Sequence, residues 1–149
     1  STLPQVWREL PRHLRREPAL QRVYADQLRA AGNHREAAAL IDAALKQAWT
    51  PALVLIYGDL DLDKPTEQLA TVERWLKQYG NRNELQLVAG RLCLRNRLWG
   101  RARSYLEATL QGPNRAQAQL ALGRLFEAIE QPPDALQAYR EGLEAAVRP

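Results

Sequence analysis

Apolar side chains fall at helical spacing along most of this chain, and the pattern returns at a nearly fixed period. Ala37, Ile41 and Leu45 set a small residue, a large one four positions on, and a leucine four beyond that. Ala102, Leu106 and Leu110 repeat the arrangement, as do Ala135, Tyr139 and Leu143. Residues four apart share one helical face, and the small residue leaves room for a neighbouring backbone. Upstream of each triplet lies a second matched set: Gln21, Tyr24, Ala25 and Leu28; Gln86, Ala89, Gly90 and Cys93; Gln119, Leu122, Gly123 and Phe126. The repeating unit is therefore a pair of helices. Gly90 and Gly123 stand 33 residues apart inside helical patterns, where glycine costs about 1 kcal/mol relative to alanine. A close helix crossing supplies the packing reason.

A fourth unit is degenerate. Gln68, Val72, Trp75 and Leu76 fill its second-helix places, and residues 52–57 form a short first helix. The terminal leucines Leu45, Leu76, Leu110 and Leu143 are separated by 31, 34 and 33 residues, so this unit has lost about a turn. Its connector over residues 58–65 carries three aspartates and ends in Pro65, which reads as a loop before a helix that starts near Pro65 and Thr66. The glycine and terminal glutamate of a calcium loop are missing at the required offsets. Gly32-Asn33, Gly80-Asn81 and Gly112-Pro113-Asn114 mark turns, and Pro132-Pro133-Asp134 opens the last helix. At the amino end Leu3, Val6, Leu10 and Leu14 form one stripe, with Pro11 where the helix should kink or restart. The expected organisation is one all-α domain over residues 1–149, with an orphan helix over 1–17 and repeats at about 18–50, 51–81, 82–114 and 115–149. Its core should hold Leu28, Ala37, Ile41, Leu45, Gly90, Ala102, Leu106, Leu110, Gly123, Ala135, Tyr139 and Leu143.

Composition narrows the function classes. With 149 residues, 46% hydrophobic and 26% charged, the chain can bury a sizeable core, and disorder is excluded. The longest apolar run, residues 52–57, is far below the ~20 residues a membrane helix needs. Methionine is absent and the chain begins at Ser1, which reads as a piece of a longer protein. The single cysteine rules out an intrachain disulfide and a cysteine-rich zinc site, which fits a reducing compartment. The net charge of +4 rests on arginine, with lysine only at Lys46, Lys64 and Lys77. Arginine grips carboxylate and phosphate bidentately, so an anionic partner is worth seeking.

No constellation carries catalysis. His13 and His34 sit in different units; His13 lies on a basic first helix, and His34 reads as a solvated turn residue. Neither has a haem-attachment sequence beside it. Cys93, between Leu92 and Leu94, reads as a small buried hydrophobe. Trp7, Trp49, Trp75 and Trp99 are spread nearly one per unit, which suits packing at helix ends. They do not interleave with a basic stripe, and the charge is thin for a phosphate-tracking groove, so nucleic acid is not expected.

The period of ~34 residues resembles the tetratricopeptide repeat. Its signature is met by Gln86-x2-Ala89-Gly90-x2-Cys93 with Ala102-x3-Leu106, and by Gln119-x2-Leu122-Gly123-x2-Phe126 with Ala135-x3-Tyr139. Glutamine replaces the usual opening tryptophan in all three good units, and the closing proline is poorly kept. The resemblance implies a right-handed solenoid of antiparallel helix pairs. Longer strings resemble, more narrowly, the carboxy-terminal repeat domain of the HemY-type inner-membrane proteins that accompany haem biosynthesis in proteobacteria. These strings are Trp7-Arg8-Glu9-Leu10-Pro11-Arg12-His13-Leu14-Arg15, Pro18-Ala19-Leu20, Leu53-Val54, Tyr57-Gly58, and the run from Gly90-Arg91-Leu92-Cys93-Leu94-Arg95-Asn96-Arg97-Leu98-Trp99-Gly100 through Arg101-Ala102-Arg103-Ser104-Tyr105-Leu106-Glu107-Ala108. That family has two amino-terminal membrane helices followed by a repeat domain on the cytoplasmic side. By this resemblance the chain sits at the bacterial inner membrane, reaching the bilayer only through segments outside the sequence. The flavin-dependent oxidase that shares the HemY name is a different protein, and no Gly-x-Gly-x-x-Gly follows a strand here.

In a tetratricopeptide array the first helix of each pair lines the concave face. Arg91 and Arg124 follow the two helical glycines at equivalent places, Arg95 lies one turn beyond Arg91, and Arg22 and Arg29 extend the row from the first unit, partly offset by Asp26. Such a row resembles carboxylate clamps that hold acidic tails. The competing expectation pairs these arginines with glutamates such as Glu84 and Glu127. The resulting expectation is a non-catalytic interaction scaffold for haem biosynthesis that organises enzymes or holds a porphyrin. It needs no cofactor or metal; protein partners, haem or a porphyrin are its candidate ligands. The alternative is a tetratricopeptide adaptor for an acidic peptide tail, with no tie to haem.

Overall fold

The computed structural model describes residues 2–148, and among them the chain is all-helical, with ten α-helices and no strand. It divides into two compact units, Ser1–Asp63 and Lys64–Pro149.

The first unit holds α1 (Leu3–Glu9), α2 (Arg12–Arg15), α3 (Pro18–Ala30), α4 (His34–Gln47) and α5 (Pro51–Gly58). A reciprocal cap opens α1: the Thr2 hydroxyl accepts from the Gln5 amide at 3.3 Å, and the Thr2 amide donates to the Gln5 side chain at 2.8 Å. The expected amino-terminal helix is split in two. Leu10, which precedes Pro11, is extended at ψ 144, because a residue before proline is pushed out of the α region. Leu3 and Val6 stay largely exposed. Trp7 stacks on Tyr24 of α3, with ring centroids 4.3 Å apart. α3 buries Gln21, Tyr24, Ala25 and Leu28, and α4 buries Ala37, Ile41, Ala44 and Leu45. α5 packs on both.

The second unit holds α6 (Pro65–Tyr79), α7 (Asn83–Arg95), α8 (Trp99–Glu107), α9 (Arg115–Ala128) and α10 (Pro132–Val147). Its central helix is α7, which buries seven residues from Leu85 to Cys93 and touches α6, α8 and α9. The helical glycines mark close approach. A Cβ on Gly90 would stand 2.7 Å from the Leu106 side chain, and one on Gly123 would enter the Tyr139 ring. α8 stops at Glu107, short of the expected Leu110. Bonds there tighten from four residues back to three, with the Thr109 amide reaching the Leu106 carbonyl at 3.0 Å and its hydroxyl the same oxygen at 2.7 Å. The following loop is tied to α7 by Asn114, whose amide donates to Asn83 at 2.9 Å and Glu84 at 3.1 Å.

One turn links three hairpins. Gly32, Arg97 and Glu130 all take positive φ, at 82°, 59° and 59°. The next amide in each case reaches back to a carbonyl five residues earlier: Asn33 to Leu28 at 2.8 Å, Leu98 to Cys93 at 2.9 Å, and Gln131 to Phe126 at 2.8 Å. This is the left-handed helix stop with its six-to-one bond, repeated at the positions that the sequence pattern aligns.

The core differs from expectation mainly at its third position. Leu45 is buried, Leu110 is half-buried, and Leu143 is 66% exposed. α4 is followed by α5 and α8 by α9, each packing on it, whereas α10 is the last described helix and meets α9 through Ala135, Ala138 and Gly142. Tyr139 is half-buried beside Gly123 rather than fully enclosed.

Candidate anion-binding site

Arg91 and Arg95 of α7, Arg124 of α9, and Trp99 at the start of α8 line one open cavity of about 310 Å³. Leu94, Ala121 and Ala128 complete its wall. The local reason lies in the glycines. Gly90 and Gly123 turn toward the partner helix of their own hairpin, so the residue after each is rotated about 100° away from that contact. Arg91 is half-buried, while Arg95 and Arg124 are exposed. Ala121 and Ala128 stand one turn to either side of Arg124, and their short side chains keep the space open. Arg97, in the left-handed turn, lies over the Trp99 ring at 5.9 Å from its centroid, within the range of cation–π attraction.

Three of the five arginines expected to form a row therefore meet. Arg22 and Arg29 belong to the first unit. Arg22 is exposed on α3, and Arg29 is held by Asp26 at 2.7 Å. The two glutamates considered as partners have other contacts: Glu84 accepts from Asn114, and Glu127 accepts the Tyr139 hydroxyl, whose pKa burial and that bond raise. The spread of tryptophans points to helix-end packing for Trp99, and the structure also makes its ring a wall of the cavity. Its position eight residues after Arg91, at the head of the next helix, was the available signal.

A polar bridge between α6 and α8 was not legible in sequence. Glu73 accepts from Arg101 and from the Tyr105 hydroxyl, the latter at 2.7 Å. Partial burial pushes the Glu73 carboxyl up, but the bonds from Arg101 and Tyr105 and the charges of Arg101 and Lys77 outweigh it and hold its pKa below the usual value. Burial, then the bond to Glu73, raises the Tyr105 pKa.

None of the candidates for chemistry lines the cavity of Arg91, Arg95 and Arg124. His13 is exposed. His34 is not a solvated turn residue: it opens α4, is half-buried, and its Nδ1 accepts the Asp61 amide at 3.2 Å. Among the described residues no group of three or more His, Cys, Asp or Glu side chains is placed to hold a metal. Cys93 is fully buried, as its sequence neighbours predict, and burial pushes its thiol up to about 11. Alkylation at pH 8 should accordingly run up to about a hundredfold slower than for a free cysteine, from thiolate fraction alone. Iodoacetamide labelling followed by mass spectrometry checks this. Rapid native labelling, matching the rate in urea, would contradict the buried placement.

No family model, curated protein or solved structure matches this chain.

Proposed function

We propose that this chain is a non-catalytic scaffold of tetratricopeptide-like hairpins in a right-handed solenoid, and that the cavity between α7 and α9 grips carboxylates of its partner. The observation that carries this is the convergence of Arg91, Arg95 and Arg124 beside Trp99. Guanidinium forks bind carboxylates through paired, charge-assisted bonds, and an indole wall suits the apolar body that carries them. The recurrence of one turn at Gly32, Arg97 and Glu130 supports the repeat reading. Resemblance to the HemY-type proteins supplies the context: haem biosynthesis at the bacterial inner membrane, with porphyrin propionates or an acidic segment of a biosynthetic enzyme as the ligand.

A second reading draws on cavity size. Ligand sites for drug-sized molecules run from about 300 to 1,000 Å³, and 310 Å³ is at the floor of that range. An acidic peptide side chain fits within it, whereas a porphyrin would place its propionates and one edge there. This is the adaptor reading, with an acidic tail as ligand and no tie to haem.

The test is a titration with haem, protoporphyrin and a glutamate-rich peptide, followed by tryptophan fluorescence and Soret absorbance. The same titrations use an Arg91→Glu, Arg124→Glu variant whose helical circular dichroism is unchanged. Each lost charge-assisted bond is worth about 1.5–3 kcal/mol, so binding should weaken at least tenfold. Porphyrin binding lost in the variant supports the first reading, and peptide binding alone, lost likewise, supports the second. Failure of all three ligands to bind the folded protein defeats the carboxylate assignment.

A further inference from the structure

A second cationic cavity, of about 240 Å³, lies in the first unit among α1 to α4. Arg12, Arg15 and Arg16 converge on it, with Trp7 on one side and Leu40 of α4 on another. No acidic side chain is part of its lining. None of the three arginines is ion-paired among the described residues. Arg15 is the distinctive member. Its Nε is buried and is the one buried side-chain polar atom without a hydrogen-bond partner among the described residues. A guanidinium N–H shut away from water and left without an acceptor is unfavourable, and a turn of the Arg15 side chain toward an oxyanion in the cavity would supply the missing acceptor.

The surroundings are rigid enough to make this a site. Gln21 donates its side-chain amide to the Arg15 carbonyl at 3.0 Å, which fixes the backbone that carries Arg15. Trp7 is clamped by its stack on Tyr24, with an interplanar angle of 15°. Pro11 breaks the chain between α1 and α2, which lets the basic turn of residues 12–16 fold back beside Trp7 instead of continuing along α1.

We propose that this cavity binds a small phosphate monoester with an aromatic or apolar group. Three guanidinium groups with no acid among the lining suit a charge near −2, which a phosphomonoester carries at neutral pH and a monocarboxylate does not. Three terminal oxygens can also meet three forks, where a carboxylate offers two. The apolar body then lies against Trp7 and Leu40. The volume, below the usual range for drug-sized ligands, sets the scale at a single small ring. This site is separate from the carboxylate cavity of the second unit, and either can fail without the other.

The test is calorimetric titration of the whole chain with phenyl phosphate, inorganic phosphate and benzoate. Phenyl phosphate should bind saturably at one site, at least tenfold tighter than either of the others. Arg15→Lys keeps the charge but removes Nε, and should weaken binding at least tenfold. If Arg15→Lys alters the fold, the exposed pair Arg12→Gln, Arg16→Gln serves instead and should give the same loss. Arg124→Glu should leave binding unchanged. Absence of saturable binding overturns the proposal, as does binding insensitive to these Arg12, Arg15 and Arg16 variants. Equal affinity for inorganic phosphate and phenyl phosphate overturns the ester assignment, and loss in Arg124→Glu moves the ligand to the other cavity and overturns the site.

Discussion

Trp75→Ala is expected to destabilise the protein by about 3–5 kcal/mol, the range for deleting a fully buried large aromatic. Trp75 is wholly buried and is the largest of the fully buried side chains. It sits on the α6 face that also buries Gln68, Leu69 and Val72, so the cavity left behind is bounded by helix-borne side chains that cannot all collapse inward. Small domains are stable by about 5–15 kcal/mol in total, and the variant therefore stands near its unfolding threshold. Urea denaturation followed by far-ultraviolet circular dichroism reads the change as a lower midpoint with an unchanged slope. A shift under about 1 kcal/mol would mean that the surroundings repack freely, contrary to the dense packing that protein interiors show.

Gly90→Ala should destabilise by about 1–3 kcal/mol, the usual penalty for overpacking, although alanine is the better helix former by about 1 kcal/mol. The new methyl would meet the Cγ and Cδ2 atoms of Leu106 at 2.7 Å and the Cβ of Tyr105 at 3.3 Å. Leu106 is fully buried, so any shift to make room must displace the core around it. Gly100→Ala is the matched control within the same hairpin. Nothing lies within 4 Å of a Cβ there, so that variant should gain a few tenths to about 1 kcal/mol through the unfolded chain's lost freedom. The two substitutions are chemically identical and should move the denaturation midpoint in opposite directions. A stabilised Gly90→Ala protein would remove close approach as the reason for that glycine.

The helix pairs were legible because their signals are local and repeated. Apolar positions four apart placed α3, α4, α7, α8, α9 and α10, and proline placed the starts of α6 and α10. The glycine approach was legible because a helical glycine is unfavourable without a packing reason, and two occurred at one period. What stayed hidden depends on neighbours that a single helix does not encode. Leu143 matches Leu45 in sequence, yet Leu45 is buried and Leu143 exposed, a difference set by which neighbours pack on each helix. The early end of α8 depends on Thr109 bonding back to Leu106 and on Asn114 tying the loop to α7. The bridge of Glu73 to Arg101 and Tyr105 joins residues 28 and 32 apart with no periodic trace. For the arginines, matched spacing brought Arg91, Arg95 and Arg124 to one cavity, and the offset by Asp26 that the sequence suggested is seen in its ion pair with Arg29. Arg97 and Glu130 in the left-handed turn escaped notice because the residue usually found there is glycine, as at Gly32.

Within each unit, helices pack on the next helix in the chain or the next but one. The loops that must close are therefore short, and the entropy of closure grows only by about 0.6 kcal/mol per doubling of length. Chains with such local contacts belong to the fast-folding class, reaching the native state in microseconds to milliseconds. The same locality sets the order in which structure is lost. α10 packs chiefly on α9, whereas α7 is embraced by three helices, so amide protons should exchange first along α10 and last along α7. A chain built this way can surrender its last helix and recover it many times without dissolving the arginine-bearing heart of the second unit.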